Sequence, residues 1–365
     1  MSLKRSVLKM RNDGRWLRIA IAFILLVAGM VLAKLPYTGT LVQAAAPFLK
    51  TVAHDATLTG DGTADSPLAV TNPYINPLRV ATLQWYEAIE NGSEIPVAGA
   101  NQIAFDGDHI WVSRGLFGSV AKIRASDGAT LGTFNVTGGE ALGVAFDGTN
   151  IWVACGDFSR SIVKLRASDG AILGGFTLPV DPFSLAFDGS HIWATTGATN
   201  TVTKMRARDG AIVGTFNAGA SPLKIAFDGA NMWVTNQTAS TVTKIRASDG
   251  ALLATFNVAA SPNSLAFDGS NIWITHPSLN MVTKLRASDG VVLGTFGVGP
   301  SPIGIAFDGA NIWVGNRAST TVTKLRAVDG VTLGTFVAGN GPGNLAFDGA
   351  NMWVINHGAG TLSKL

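Results

Sequence analysis

The chain has 365 residues with one cysteine, 43 glycines and 14 prolines; 47% of its residues are hydrophobic and 14% charged, and its net charge is +3. A single Cys excludes an internal disulfide, the Gly and Pro content excludes a mainly helical chain, and the hydrophobic share excludes a disordered one. The basic balance does not point to nucleic acid, because residues 1–46 hold seven Lys or Arg against one Asp, leaving 20 basic and 23 acidic residues in the remainder.

In chain order, Lys4, Arg5, Lys9, Arg11, Arg15 and Arg18 precede an apolar run, residues 19–33. This is the layout of an export signal, with Val42-Gln43-Ala44 supplying small residues for cleavage. An uncleaved anchor is the alternative, with membrane contact through residues 19–33 only and the rest of the chain outside. Residues 1–46 are therefore assigned to a signal peptide or N-terminal anchor helix, and the folded part to the periplasm or the extracellular space. The LPYTG at Leu35–Gly39 follows the hydrophobic run, which is the wrong side for a sorting signal.

Residues 47–92 are rich in Thr, Ala, Asp, Gly and Pro and read as a spacer. Within it, Asp55–Thr71 resembles a short β element of phage tail fibres and bacterial surface proteins. Asn76–Ala88, with Trp85, alternates apolar residues and is expected to pack on the domain that follows.

From residue 93 onward a unit of about forty residues repeats. Asp-Gly follows Ala-Phe at Asp106, Asp147, Asp188, Asp228, Asp268, Asp308 and Asp348; Trp111, Trp152, Trp193, Trp233, Trp273, Trp313 and Trp353 come five residues later in each copy. Between the Gly turns lie short runs rich in Val, Ile, Thr, Phe and Trp, four per copy, and Asp-Gly between such runs signals a hairpin. Four strands per forty residues make one propeller blade. The Leu-Gly-Thr-Phe strand occurs six times where the other strands occur seven, and Ser93–Val97 is the upstream donor of the missing copy. Residues 93–365 are thus predicted to form an all-β, seven-bladed β-propeller closed by an N-terminal strand, which removes its open edges.

One Trp at one strand position per blade reads as inter-blade packing, and each turn Asp as an acceptor for its own turn's N–H groups. A calcium loop needs several oxygen ligands within one segment, so no metal is assigned to these turns. The repeated Lys-x-Arg pairs, such as Lys204 with Arg206, are expected to be neutralised by the turn Asp. His109 and His191 stand where other copies have Asn and read as turn residues; Cys155 reads as a small loop residue.

Variation between copies is concentrated in the loops opposite the Asp-Gly hairpins: Arg114, Phe117, Glu140, Asp157, Phe183, Lys224, Asn236, His276, Arg317 and His357. These are the candidate ligand-binding residues, because there the repeat is free of the fold's demands. Among them His276, His357 and Glu140 are the only candidates for catalysis, which would need them within about 7 Å of one another.

The pattern Pro, two variable residues, I-A-F-D-G, N-I-W-V, T-V-T-K-L-R-A-S-D-G over Asn101–Leu365 resembles the YVTN and YncE-like propeller repeats and is similar to the streptogramin (virginiamycin B) lyase family. The lyase resemblance implies a His general base and Glu residues holding Mg²⁺. This sequence has one Glu in the repeats, Glu140, with Glu94 in the closing strand and no Glu-x-His pair, so the lyase residues do not map onto it. The leading reading is an exported, non-enzymatic propeller that binds an unidentified protein or small molecule over the variable face. No cofactor and no nucleic acid are expected. The alternatives are a lyase-type enzyme at the channel mouth, with Mg²⁺, and a structural part of an envelope or tail-like assembly.

Overall fold

A computed structural model describes residues 94–136 and 139–365, together with two short strands, Leu58–Thr59 and Ala69–Val70. The signal or anchor, most of the spacer and the Trp85 segment lie outside the described residues. Two compact units are present, Met1–Asn91 and Gly92–Leu365. In the first, Leu58–Thr59 pairs antiparallel with Ala69–Val70.

The second unit is a seven-bladed propeller of four-stranded antiparallel sheets. Blade 4 shows the plan: an inner strand, Pro222–Phe227, turns at Asp228-Gly229 into Asn231–Asn236, loops into Thr241–Arg246 and turns again into the outer strand Leu252–Asn257. The inner strands touch one another in sequence round the ring, and the seventh touches the first, enclosing a central channel. Apart from the three-residue 3-10 turns Gly115–Phe117 and Gly197–Thr199, the described residues contain no helix.

The invariant letters of the repeat form one physical unit. Trp233 donates its indole N–H to Asp228 Oδ2 at 2.7 Å, and Asp228 Oδ1 accepts the backbone N–H groups of Ala230 and Asn231. The bond from Trp Nε1 to its turn Asp recurs in all seven blades. Across the strand pair, the Lys244 ammonium lies 5.1 Å from the Trp233 ring centroid and donates to the Ala287 carbonyl of the next blade. Phe256 of the outer strand stacks with the same ring, 5.6 Å between centroids.

Trp233 also packs against Ile272, Ile274 and Leu285 of blade 5, so each tryptophan fills the wedge between two blades. Burying one such ring removes about 150–250 Å² from water, a gross gain of roughly 4–6 kcal/mol before ordering entropy. The Lys-x-Arg pairs divide their work. Arginines such as Arg246 and Arg286 pair with the turn Asp as expected. Most of the lysines instead tie neighbouring blades together through backbone carbonyls.

Ring closure uses Ile95–Pro96, which pairs with Leu362 and Thr361 of the last strand to complete blade 7. Lys364 donates to the Ala125 carbonyl of blade 1, and Trp353 packs against Ile110, Val112 and Ile123. Ile95 holds the register that Phe336 holds in blade 6, opposite the third strand. Blades 1 to 6 each stack a Phe on their Trp at 5.0–5.6 Å, and blade 7 presents Ile95 at that register. Ile95→Phe is expected to stabilise the ring by about 0.5–1.5 kcal/mol, read as a raised denaturation midpoint.

Burial alone would raise the carboxyls of Asp147, Asp228 and Asp308, but the N–H groups of their own Trp and Asn, with further backbone donors, outweigh it and hold them below the ordinary carboxylate range. A carboxyl depressed by folding contributes its stability above the unfolded pKa near 3.9 and loses it as pH falls through the lower folded value. Wild type is therefore expected to exceed Asp228→Asn by about 2 kcal/mol near pH 6, with the difference shrinking near pH 3; chemical denaturation at the two pH values measures it.

Candidate site at the channel mouth

Opposite the Asp-Gly hairpins, the loops between second and third strands and those entering the inner strands share one face. The last residue of each second strand is a recurring register, and it separates the buried candidates from the accessible ones. His276 and Asn236 both occupy it and both are fully buried. Asn236 Nδ2 donates to Thr241 and Thr243 of its own blade at 3.0 and 2.8 Å. His276 takes the place of this Asn in blade 5, with Nδ1 3.1 Å from the Ala260 carbonyl and Nε2 2.9 Å from Thr283 Oγ1. Burial lowers its pKa against the opposing pull of the Ala260 and Ala259 carbonyls.

With both ring nitrogens engaged, His276 is a blade-internal residue. Cys155, at the same register in blade 2, is also sealed, and burial pushes its thiol up to about 11.

His357 lies one position further along, in the loop. Burial pushes its imidazole down to about 4, helped by the positive charges of Arg317 and Lys224 and opposed by the Ala100 carbonyl. It sits against Gly343 of the inner strand of its own blade, where a Cβ would strike the imidazole ring. Gly343 is thus the residue that makes room for His357, and sequence comparison between copies could have found it as the one Gly following the Pro of an inner strand.

Lys224 projects from the inner strand of blade 4. Its ammonium is 5.4 Å from the ring centroid of Phe183, at the entry to blade 3, and desolvation lowers it to about 7. Its positive charge contributes to the lowering of His357. Arg317 comes from the loop of blade 6. Phe183 and Lys224 are thus in contact across blades 3 and 4, and Arg317 and His357 follow the second strands of blades 6 and 7 on the same loop face.

The remaining candidates form a second group on blades 1 and 2. Arg114 donates Nε to the Ala98 carbonyl at 2.9 Å and lies 4.6 Å over the Phe117 ring. Phe117, Glu140 and Asp157 line an open cavity of about 510 Å³ with Leu116, Asn135 and Val136. Beside it the loop of blade 2 holds Asp157, Phe158 and Arg160 at positive φ, a conformation disfavoured for side-chain-bearing residues. Phe158 and Leu116 are more than four-fifths exposed; the sequence reading passed over both. The catalytic candidates His276, His357 and Glu140 thus come from blades 5, 7 and 2, the first with no ring nitrogen to offer a substrate.

No protein-family model and no curated protein sequence matches the chain. Among solved structures, the fold is similar to Kuenenia stuttgartiensis hydrazine synthase, with TM-score 0.67 and 16% identity over 76% of this chain and 98% of that one. It is likewise similar to a streptogramin B lyase, with TM-score 0.64 and 19% identity over 74% of this chain and 96% of that one. The likeness is one of fold: both share the propeller expected from the repeat.

The electrostatics of His357 can be measured directly. Its imidazole is expected to titrate near 4 by NMR. Arg317→Met removes one of the nearby positive charges, so protonation becomes easier and the titration moves upward toward the ordinary histidine range. An unmoved His357 titration would separate the two residues.

Proposed function

We propose that this chain is an exported, non-enzymatic propeller that binds a ligand or partner over the loop face and channel mouth. The observation that carries this reading is the division of labour between the two faces. On the hairpin face the Asp carboxylates are consumed by Trp and backbone donors and the Arg groups by Asp. On the loop face, accessible side chains collect that the fold does not use: Lys224, Arg317 and His357 at the channel, and Leu116, Phe117 and Phe158 beside it. Export rests on the basic segment ahead of residues 19–33.

A lyase-type activity is the second reading, supported by the structural similarity to a streptogramin B lyase. Against it stand the sealed position of His276 and the lack, among the described residues, of any group of three His, Cys, Asp or Glu side chains placed to hold a metal: a metal-assisted elimination needs a base and oxygen ligands around one substrate atom.

One experiment compares them. The purified full chain is screened by thermal shift against glycans, peptides and streptogramin-type lactones, and lactones incubated with Mg²⁺ are followed by mass spectrometry. The expected outcome is a ligand-dependent shift that disappears in Arg317→Ala and His357→Ala, with the lactone intact. Ring opening that is lost in His357→Ala would replace the binding reading by the enzymatic one.

A further inference from the structure

Between Asp106 and Asp348 the forty-residue period gains a residue twice, and both extra residues belong to loops of blade 2. From the Phe of an outer strand to the Asp of the next turn is 13 positions between Phe134 and Asp147, against 12 between Phe216 and Asp228 and in the later copies. From Trp to the outer-strand Phe of the same copy is 24 positions between Trp152 and Phe176, against 23 between Trp233 and Phe256 and in the other copies. The first extra residue lies in the stretch entering the inner strand of blade 2, the second in the loop between its second and third strands. Insertions into a repeat gather in loops of one face, often the binding face.

Both lengthened loops border the same cavity of about 510 Å³, which Leu116, Phe117, Val136, Glu140 and Asp157 help to line and in which no basic side chain takes part. Eighteen carboxylates lie between residues 94 and 365. Among the described residues all but three accept a hydrogen bond, as Asp181 does from the Arg160 N–H and Glu94 from Thr361. The exceptions are Asp108, on a hairpin of the opposite face, and the two acids of this cavity, Glu140 and Asp157. Glu140 stands where blades 4 to 6 have the Ser that precedes the inner-strand Pro.

The walls are set by close packing. A Cβ at Gly118 would strike the Gly139 carbonyl oxygen, and one at Gly139 the Gly156 carbonyl oxygen, so three successive loops stack with only glycine between them. Phe117 is held by the Arg114 guanidinium at 4.6 Å and by Gly99, where a Cβ would meet its ring. Leu116 is 84% exposed, and Phe158, next to Asp157, is 83% exposed at a φ of 68°, a costly conformation for an aromatic residue. A molecule small enough for the cavity leaves these two side chains in water, whereas a protein surface laid across it covers them.

We propose that this cavity is the docking site of a protein partner, which enters it with a segment carrying Lys or Arg flanked by bulky apolar residues. The basic side chain meets Glu140 and Asp157, which have no other partner, and the apolar residues cover Leu116, Phe117 and Phe158. Charge fixes the choice: both unpartnered groups lining the cavity are negative, so an acidic segment is repelled. A partner class is thereby added to the loop-face binding reading, on which it rests, using neither Arg317 nor His357.

Fluorescence anisotropy of labelled short peptides titrated with the full chain tests this, one peptide alternating Lys with Phe, one Glu with Phe and one Lys with Ser. Saturable binding is expected for the Lys-Phe peptide alone, weakening as salt is raised. Glu140→Gln and Asp157→Asn should each weaken it about threefold and together about tenfold. Asp108→Asn, which removes the third unpartnered carboxylate from the opposite face, should leave it unchanged. Phe158→Gly separates a partner contact from a structural role. Glycine accepts the positive φ without strain, so the melting temperature should rise while affinity for the Lys-Phe peptide falls about fivefold.

No saturation by the Lys-Phe peptide, equally tight binding of either control peptide, or an affinity that the Glu140→Gln, Asp157→Asn double variant does not move would overturn the docking site. A lower melting temperature in Phe158→Gly would assign that side chain to the fold and overturn its part in docking. Should the peptides fail while a glycan or lactone still gives a thermal shift that is lost in Arg317→Ala, the docking site falls and the loop-face reading stands. If no class binds, both fall.

Discussion

The structure depends on one hydrogen bond made seven times, from a buried indole N–H to the carboxylate of the turn five residues earlier. Trp is the largest side chain available to fill the wedge between blades, but its N–H needs an acceptor once water is gone. The Asp provides it while its other oxygen closes the hairpin through backbone N–H groups. Turn geometry and core packing are thereby one constraint. The same Asp-Gly and Trp are repeated because each wedge poses the same problem.

The lysines follow from that arrangement. An aromatic face and a backbone carbonyl of the next blade together give an ammonium group enough partners to be buried. The ring is thus tied laterally by charge-assisted bonds as well as by apolar contact, and Lys364 extends the tie across the chain's own closure point. Blade 7 is assembled from two distant stretches, and Ile95, a residue smaller than the Phe of the other blades, is accommodated there because the short closing strand still fixes the register through Leu362.

With the hairpin face committed to these duties, the opposite face is where the chain diverges from its own repeat. Two kinds of divergence occur there. At the buried end of the second strand, Asn236, His276 and Cys155 exchange one internal partner for another, and the change stays inside the blade. One residue further along, or on the inner strand, the changed side chains are no longer sealed: Arg317 and His357 follow the second strands of blades 6 and 7, and Lys224 stands on the inner strand of blade 4. Tight packing at Gly343 belongs to the same divergence, since it gives the imidazole its seat.

The all-β class, the seven blades, the tryptophan wedges and the closing strand were legible in the amino-acid sequence, because a forty-residue repeat states its local rules seven times and the missing strand can be counted. The variable face was legible for the same reason. What the repeat could not convey was which variable residues point inward: His276 and His357 look equivalent in the chain, yet a shift of one position in a strand-to-loop transition puts one inside the blade and the other at the channel. Nor could it reveal that Lys224 lacks the partners of its seven sister lysines. Those distinctions exist only when the ring closes, since closure decides which positions of the repeat are sealed between strands and blades and which stay on the loop face.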